Sequence, residues 1–175
     1  MMEIRTERLI IRGVSQSEAR QVKERANHST GMEALDRLSE EEVNAIFSNQ
    51  EQVQAFLDSI IESLGDCESV TYGAWRNHNL IGVIAVVNDC HGTPELEIYM
   101  LPEYQGQGYG FEFLRALLKE LFLEKKYRFF QYRVSNDNSA SINLVKKVGG
   151  IVQPPRTELE KILMQVYRIT PESIK

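Results

Sequence analysis

With 175 residues, the chain has room for one domain whose core needs no metal or disulfide staple. A content of 42% hydrophobic and 26% charged residues excludes disordered, collagen-like and coiled-coil chains, and no apolar run approaches the ~18 residues of a membrane span. A net charge of −5 and a pI near 5.3 disfavour a nucleic-acid binder, which needs a basic face for phosphates.

Arg8–Arg12 (RLIIR) is a β-branched run and the expected first strand. A helix follows from Ser15 to Asn27, capped by Ser15 or Ser17, with Ala19, Val22 and Ala26 at helical spacing. Ser39-Glu40-Glu41-Glu42 reads as a capping box before Val43, Ile46 and Phe47, and another helix is expected from Glu51 to Leu64. Ser69–Arg76 and Leu80–Val87 form a hairpin signal around Asn77-His78-Asn79. Glu95–Leu101 is a strand ended by Pro102, followed by a glycine-rich turn and a helix over about Gly108–Lys125. Arg128–Val134 is a strand, Ala140–Val148 a short helix, and Ile151–Gln153 and Leu163–Ile169 are strands around a polar loop containing Pro154-Pro155. The crossover from Glu95 to Val134 is expected to be parallel and the short-turn pairs antiparallel. The expectation is a single α+β domain over 1–175 with a mixed sheet, because no linker divides the chain.

Charge is unevenly spread. Between His28 and Glu68 one base, Arg37, stands against ten acids, which gives −9 and leaves +4 for the rest of a chain totalling −5. Cys67 and Cys90 lack CxxC spacing and His28, His78 and His91 are scattered, so no metal site is expected. The charged N-terminus argues against a signal peptide and, with the two cysteines, for a reducing, cytoplasmic setting.

Gln105-Gly106-Gln107-Gly108-Tyr109-Gly110 lies between a strand and a helix. Glycines let the backbone approach a ligand, and the helix start offers unpaired N–H groups, which suits phosphate or pyrophosphate. No Gly-Lys-Ser/Thr triplet makes it a nucleotide P-loop, and in the dinucleotide pattern GxGxxG the third glycine position falls on Phe111. The alternative is a connector that holds no ligand.

Gln105-x-x-Gly108-x-Gly110 resembles the Gln/Arg-x-x-Gly-x-Gly/Ala motif of the GNAT superfamily of acetyl-CoA-dependent N-acetyltransferases. Asn138-Ser139-Ala140-Ser141 through Leu144, Lys147 and Gly149 is similar to a second segment of that family. Thr6-Glu7-Arg8-Leu9-Ile10-Ile11-Arg12 resembles the opening of the subgroup with ribosomal-protein alanine N-terminal acetyltransferases and some polyamine acetyltransferases. The likeness covers roughly the whole chain.

The resemblance implies a mostly antiparallel sheet that splays between the fourth and fifth strands, here Glu95–Leu101 and Arg128–Val134. Acetyl-CoA, the cosubstrate, would lie in that gap. Backbone groups of Met100 and Leu101 would meet its pantetheine amides. The amides of Gln105, Gly106, Gln107, Gly108, Tyr109 and Gly110 would hold its pyrophosphate. Asn138 would bond the pantetheine arm or the loop holding it, and Lys146 and Lys147 would either approach the CoA phosphates or, the preferred reading, be solvated.

For catalysis, the N–H near Met100 would hold the oxyanion, and Glu97, preferred to Glu95, would be the base. Many members carry a tyrosine at the position of Val145, and valine cannot donate. Ser141 could bond the leaving sulfur instead, and it also counts among the cofactor contacts. Tyr104, Tyr109 and Tyr132 are other donors with nothing to choose among them.

The implied reaction is direct attack by a primary amine in a ternary complex. The amine would enter against the first helices, where the acidic segment would favour a cation: a polyamine, an aminoglycoside or a peptide N-terminus. Otherwise those acids are solvated helix faces. The implied protein is a monomer or homodimer without nucleic-acid or membrane partners. The alternative is a non-catalytic CoA or acetyl-CoA sensor, or a partner-binding module, on the same fold.

Overall fold

The computed structural model describes residues 2–26, 39–51, 53–54, 69–87, 92–124 and 127–175. The expected helix over 51–64 therefore lies largely outside the described residues, as do Cys67, Cys90, His28 and His91.

The chain opens with a strand the sequence reading missed. β1 (Glu3–Arg5) and β2 (Ile10–Gly13) pair antiparallel, and the Thr6 N–H donates to Leu9 O at 3.0 Å to close the turn. Arg8, expected in the first strand, sits in that turn. Three residues with a single apolar side chain give no readable alternation. α1 (Gln16–Arg25) starts on a Ser15/Glu18 capping box and buries Ala19 and Val22. α2 (Glu40–Phe47) starts on Ser39, which exchanges hydrogen bonds with Glu42.

β3 (Val70–Arg76) and β4 (Asn79–Val87) form the expected hairpin, with Asn77 and His78 at positive φ in the turn. β5 (Glu95–Met100) follows, then α3 (Tyr109–Leu123), β6 (Phe130–Ser135), α4 (Ser139–Val148) and β7 (Ile151–Val152). The polar loop before β8 (Met164–Ile169) contains a further short helix, α5 (Glu158–Leu163), capped by the Thr157 side chain on Glu160 N–H. Its signal, Thr157-x-x-Glu160, was present but overshadowed by Pro154-Pro155.

The eight described strands form one sheet in the order β1-β2-β3-β4-β5-β6-β8-β7. Among the described strands, only β5 and β6 pair in parallel. Ile81 is an extra residue in the β3–β4 ladder, between the Ala74–Gly82 and Trp75–Leu80 pairs, and forms a β-bulge. The bulge reverses the side-chain alternation. Leu80 and Val83 therefore pack with α1 on one face, while Ile81, Ile84 and Val86 join Phe113, Leu114, Leu117 and Val145 in the larger core on the other.

Candidate functional site

The site begins where the sheet fails. β5 and β6 pair only at Glu95 and Gln131, with the Gln131 N–H donating to Pro94 O at 2.8 Å. Beyond that point the strands part. On the other side of β5, the Leu101 N–H donates to Ile81 O at 2.9 Å. Successive residues in a strand aim their backbone groups to opposite sides, so those of Met100 point into the gap. Met100 O accepts from Gln105 Nε2 at 2.8 Å, which leaves its N–H facing the gap. Leu101 is placed otherwise than expected, because its N–H is committed to Ile81 and its carbonyl accepts from Tyr104 N–H at 2.9 Å. Gly82 lies opposite Met100, and a Cβ there would come within 2.3 Å of Met100 Sδ and 2.9 Å of Tyr99 O. A larger residue would therefore push Met100 out of place.

The glycine loop runs from this strand to α3. Gly106 (φ 70°) and Gly108 (φ 83°) are both left-handed, which favours glycine. Side chains cap the other described α-helices: Ser15 on α1, Ser39 on α2, Asn138 on α4 and Thr157 on α5. α3 starts on Gly108 and has no side-chain cap. Its first-turn N–H groups, together with the positive end of the helix dipole, are thus available to an anion. Side chains brace the loop from outside. Gln107 Nε2 donates to Glu103 O at 2.8 Å, and Arg8 Nη1 donates to Gln107 O at 3.1 Å. Tyr109 is buried, stacked edge-on against Tyr104 and lying beneath the Arg8 guanidinium.

Two cavities flank the gap. The larger, about 620 Å³, is lined by Met100, Gln105, Gly106, Gly108, Gly110 and Phe111, among others. The smaller, about 250 Å³, is lined by Glu95, Glu97, Tyr99 and Tyr132, among others. Ile98, Asn138 and Ser141 line both, so the cavities meet there. The larger one suits a long ligand with an anionic end.

Glu95 and Glu97 share a face of β5 but differ in surroundings. Glu95 is held by Arg133 Nε at 3.1 Å, and burial pushes its carboxyl above the ordinary value even though Arg133 works against that. Glu97 is half-buried. Its Oε2 accepts from Lys23 Nζ and from Tyr99 OH, both at 3.3 Å, and Lys23 also lies 4.9 Å above the Tyr99 ring. Burial, then the Glu97 charge, pushes the Tyr99 phenol up. Neither Lys23 nor Tyr99 was singled out in the sequence. Lys23 lies 74 residues from Glu97 and nothing local links them.

Asn138 accepts the Ser141 N–H at 3.0 Å and caps α4. Ser141, in the first turn, lines the smaller cavity together with Tyr132, which is 3% exposed. Burial raises the Tyr132 phenol to about 12 although Ser141 works in the opposite direction. Of the three tyrosines left open by the sequence, Tyr132 lines the smaller cavity with Ser141, Tyr104 lines the larger one and Tyr109 lines neither. Val145 is fully buried in the core and lines neither cavity, so the cleft face of α4 is the one carrying Ser141 and Leu144. Lys146 and Lys147 are exposed, with Lys147 Nζ 4.6 Å above the Phe111 ring. Glu40, Glu41, Glu42 and Glu51 are exposed, and the other six acids of the −9 segment lie outside the described residues. Among the described residues there is no group of three or more His, Cys, Asp and Glu that could hold a metal ion, and no helix is long and apolar enough to cross a membrane.

The acetyltransferase (GNAT) domain family model matches residues 8–151. No curated protein matches the chain. Among solved structures, RimL, a ribosomal L7/L12 alpha-N-protein acetyltransferase in complex with coenzyme A, is 15% identical, with 98% of this chain and 99% of that one covered and a TM-score of 0.64. An acetyl transfer enzyme from Salmonella typhimurium that modifies the N-terminal serine of that ribosomal protein is 15% identical, covering 94% and 96%, with a TM-score of 0.61. Spermidine N-acetyltransferase from Vibrio cholerae in complex with CoA and spermine is 14% identical, covering 96% and 98%, with a TM-score of 0.61. At these identities the structural likeness concerns the fold. The family match runs from the turn before β2 to the strand after α4, and the chain belongs to the GNAT family of acetyl-CoA-dependent N-acetyltransferases.

Proposed function

We propose that the chain, as one domain, moves acetyl from acetyl-CoA directly to a primary amine entering the smaller cavity beside Glu97. The acceptor is a peptide N-terminus or a small cationic amine. The observation that carries this reading is the meeting of the two cavities at Ile98, Asn138 and Ser141. Backbone donors lie on one side of that junction and a half-buried carboxylate on the other.

Acetyl-CoA supplies an acetyl thioester. The first-turn N–H groups of α3 and the glycine loop take its pyrophosphate in the larger cavity. The Met100 N–H donates to the thioester oxygen as negative charge develops there. Glu97 takes the proton of the incoming amine, directly or through water, so that a neutral nitrogen attacks. Ser141, backed by Tyr132, donates a hydrogen bond to the departing sulfur. Asn138 holds the first turn of α4, and with it Ser141, in place. An incoming ammonium competes with Lys23 for Glu97, which makes Lys23 part of the acceptor end. Solved structures of similar fold act on ribosomal-protein N-termini and on spermidine, which supports both acceptor classes. A cytoplasmic setting belongs to the same reading. Ile151 and Val152, both exposed on β7 at the sheet edge, support a homodimer over a monomer.

The test is CoA thiol release from acetyl-CoA with spermidine, an aminoglycoside, and peptides with alanine or serine N-termini. Release with a polycation that weakens as salt rises supports the cationic acceptor. Release with peptides alone selects the N-terminal reading. Silence across all of them, from protein that binds acetyl-CoA, overturns the proposed acceptor classes.

A further inference from the structure

We infer that Arg8 is a positioning residue for the acyl donor, gripping the glycine loop from behind and fixing the orientation of the peptide between Gln107 and Gly108. The inference rests on the reading of this loop as the pyrophosphate holder.

Arg8 lies in the β1–β2 turn, 99 residues from the loop it braces. It makes three contacts there. Nε donates to Glu112 Oε2 at 2.6 Å, Nη1 donates to Gln107 O at 3.1 Å, and the guanidinium lies 4.3 Å above the Tyr109 ring. Glu112, in the first turn of α3, is the anchor. Its other oxygen accepts the Arg8 N–H at 3.0 Å and the Thr6 hydroxyl. Burial alone would raise the Glu112 carboxyl, but the hydrogen bonds from Thr6 and Arg8 hold it below the ordinary value, so it stays ionised.

The consequence follows from peptide geometry. In a trans peptide the C=O and the N–H point in opposite directions. Holding Gln107 O toward Arg8 therefore turns the Gly108 N–H away from Arg8. Gly108 lines the larger cavity. The grip on Gln107 O thus sets where one of the loop donors points, while the grip on Glu112 fixes the start of α3. The Arg8 charge is matched by Glu112, which makes it a brace for the loop rather than a free counter-ion for phosphate. The Thr6-Glu7-Arg8 motif acquires a function by this route: Thr6 and Arg8 converge on one carboxylate.

The test compares CoA with pantetheine, which lacks the pyrophosphate, in binding titrations followed by protein NMR, which reads millimolar affinities. Arg8→Met is expected to raise the Kd for CoA by about ten-fold, with pantetheine unchanged within about two-fold. Arg8→Lys restores little, because one ammonium cannot span Glu112 and Gln107 with fixed geometry. It also carries the same comparison should Arg8→Met fail to fold. Equal weakening of both probes, or an unchanged CoA Kd, overturns the inference. A wild-type protein that binds no CoA overturns the donor reading itself.

Discussion

The two ends of the cleft are built from different materials. The proposed donor end is mostly backbone: the Met100 N–H, two left-handed glycines and the uncapped first turn of α3. The proposed acceptor end is side chain: Glu97 with Lys23 and Tyr99. A backbone site is specified by where glycine is required, so it is written in a few consecutive residues. A side-chain site is specified by which faces of distant elements meet, so its members are scattered. The donor end can therefore remain constant within a family while the acceptor end is rebuilt by changing single side chains.

The largest expected effect sharpens this division. Glu97→Gln keeps the shape and removes the proposed base, and is expected to lower kcat by about a hundred-fold or more while leaving the CoA Kd unchanged. Unchanged activity at every pH would remove Glu97 from the reaction and break the division at its acceptor end. Gly108→Val does the reverse. A β-branched residue at φ 83° is strained, and its Cβ would sit 3.4 Å from Arg8 Nη2. The CoA Kd measured by calorimetry is expected to rise by about ten-fold or more, and normal binding would mean the loop tolerates a side chain.

Lys23→Met removes the cation paired with Glu97 at the proposed acceptor end. The KM for a cationic acceptor is expected to fall about three-fold at low salt, with the difference narrowing at high salt. A rise in KM would mean that Lys23 helps hold the acceptor. Glu112 provides a pH handle on the donor end. Its folded-state value is depressed, so its contribution to stability is present above the ordinary carboxylate range and is lost as pH falls through the folded value. Glu112→Gln is therefore expected to have a Tm about 2–4 °C below wild type at neutral pH, converging with it as the solution is acidified. Parallel Tm curves would show that Glu112 is not the titrating group. The smallest effect is expected from Glu40→Gln/Glu41→Gln, both positions being exposed on α2. Stability should stay within about 0.5 kcal/mol and the acceptor KM within about two-fold, as kinetics at two salt concentrations would read. A larger salt-dependent change in KM would bring these carboxylates to the acceptor.

Much of this was legible in the sequence, for local reasons. The Ser15 and Ser39 boxes start helices because a hydroxyl and a carboxylate three residues apart satisfy orphan amides without outside help. Asn77-His78 turns the hairpin, and Gly106 and Gly108 mark the ligand loop, because few residues adopt positive φ. Gln105 was recognised but not its use, which is to donate to Met100 O from within the same connection. The three-residue β1 and the six-residue α5 escaped because each is shorter than the stretch over which its periodicity can be read.

What only the tertiary structure decided is which side of an element faces the cleft. The bulge at Ile81 reverses an alternation that appears regular in sequence, and the Ile81 carbonyl takes the Leu101 N–H, leaving Met100 rather than Leu101 to face the gap. The turn of α4 puts Ser141 in the cleft and Val145 in the core. Lys23 reaches Glu97, and Arg8 reaches Gln107, across 74 and 99 residues. A sequence determines local conformation through nearest neighbours, whereas these placements depend on sheet register and helix rotation, which are fixed only when the whole core packs.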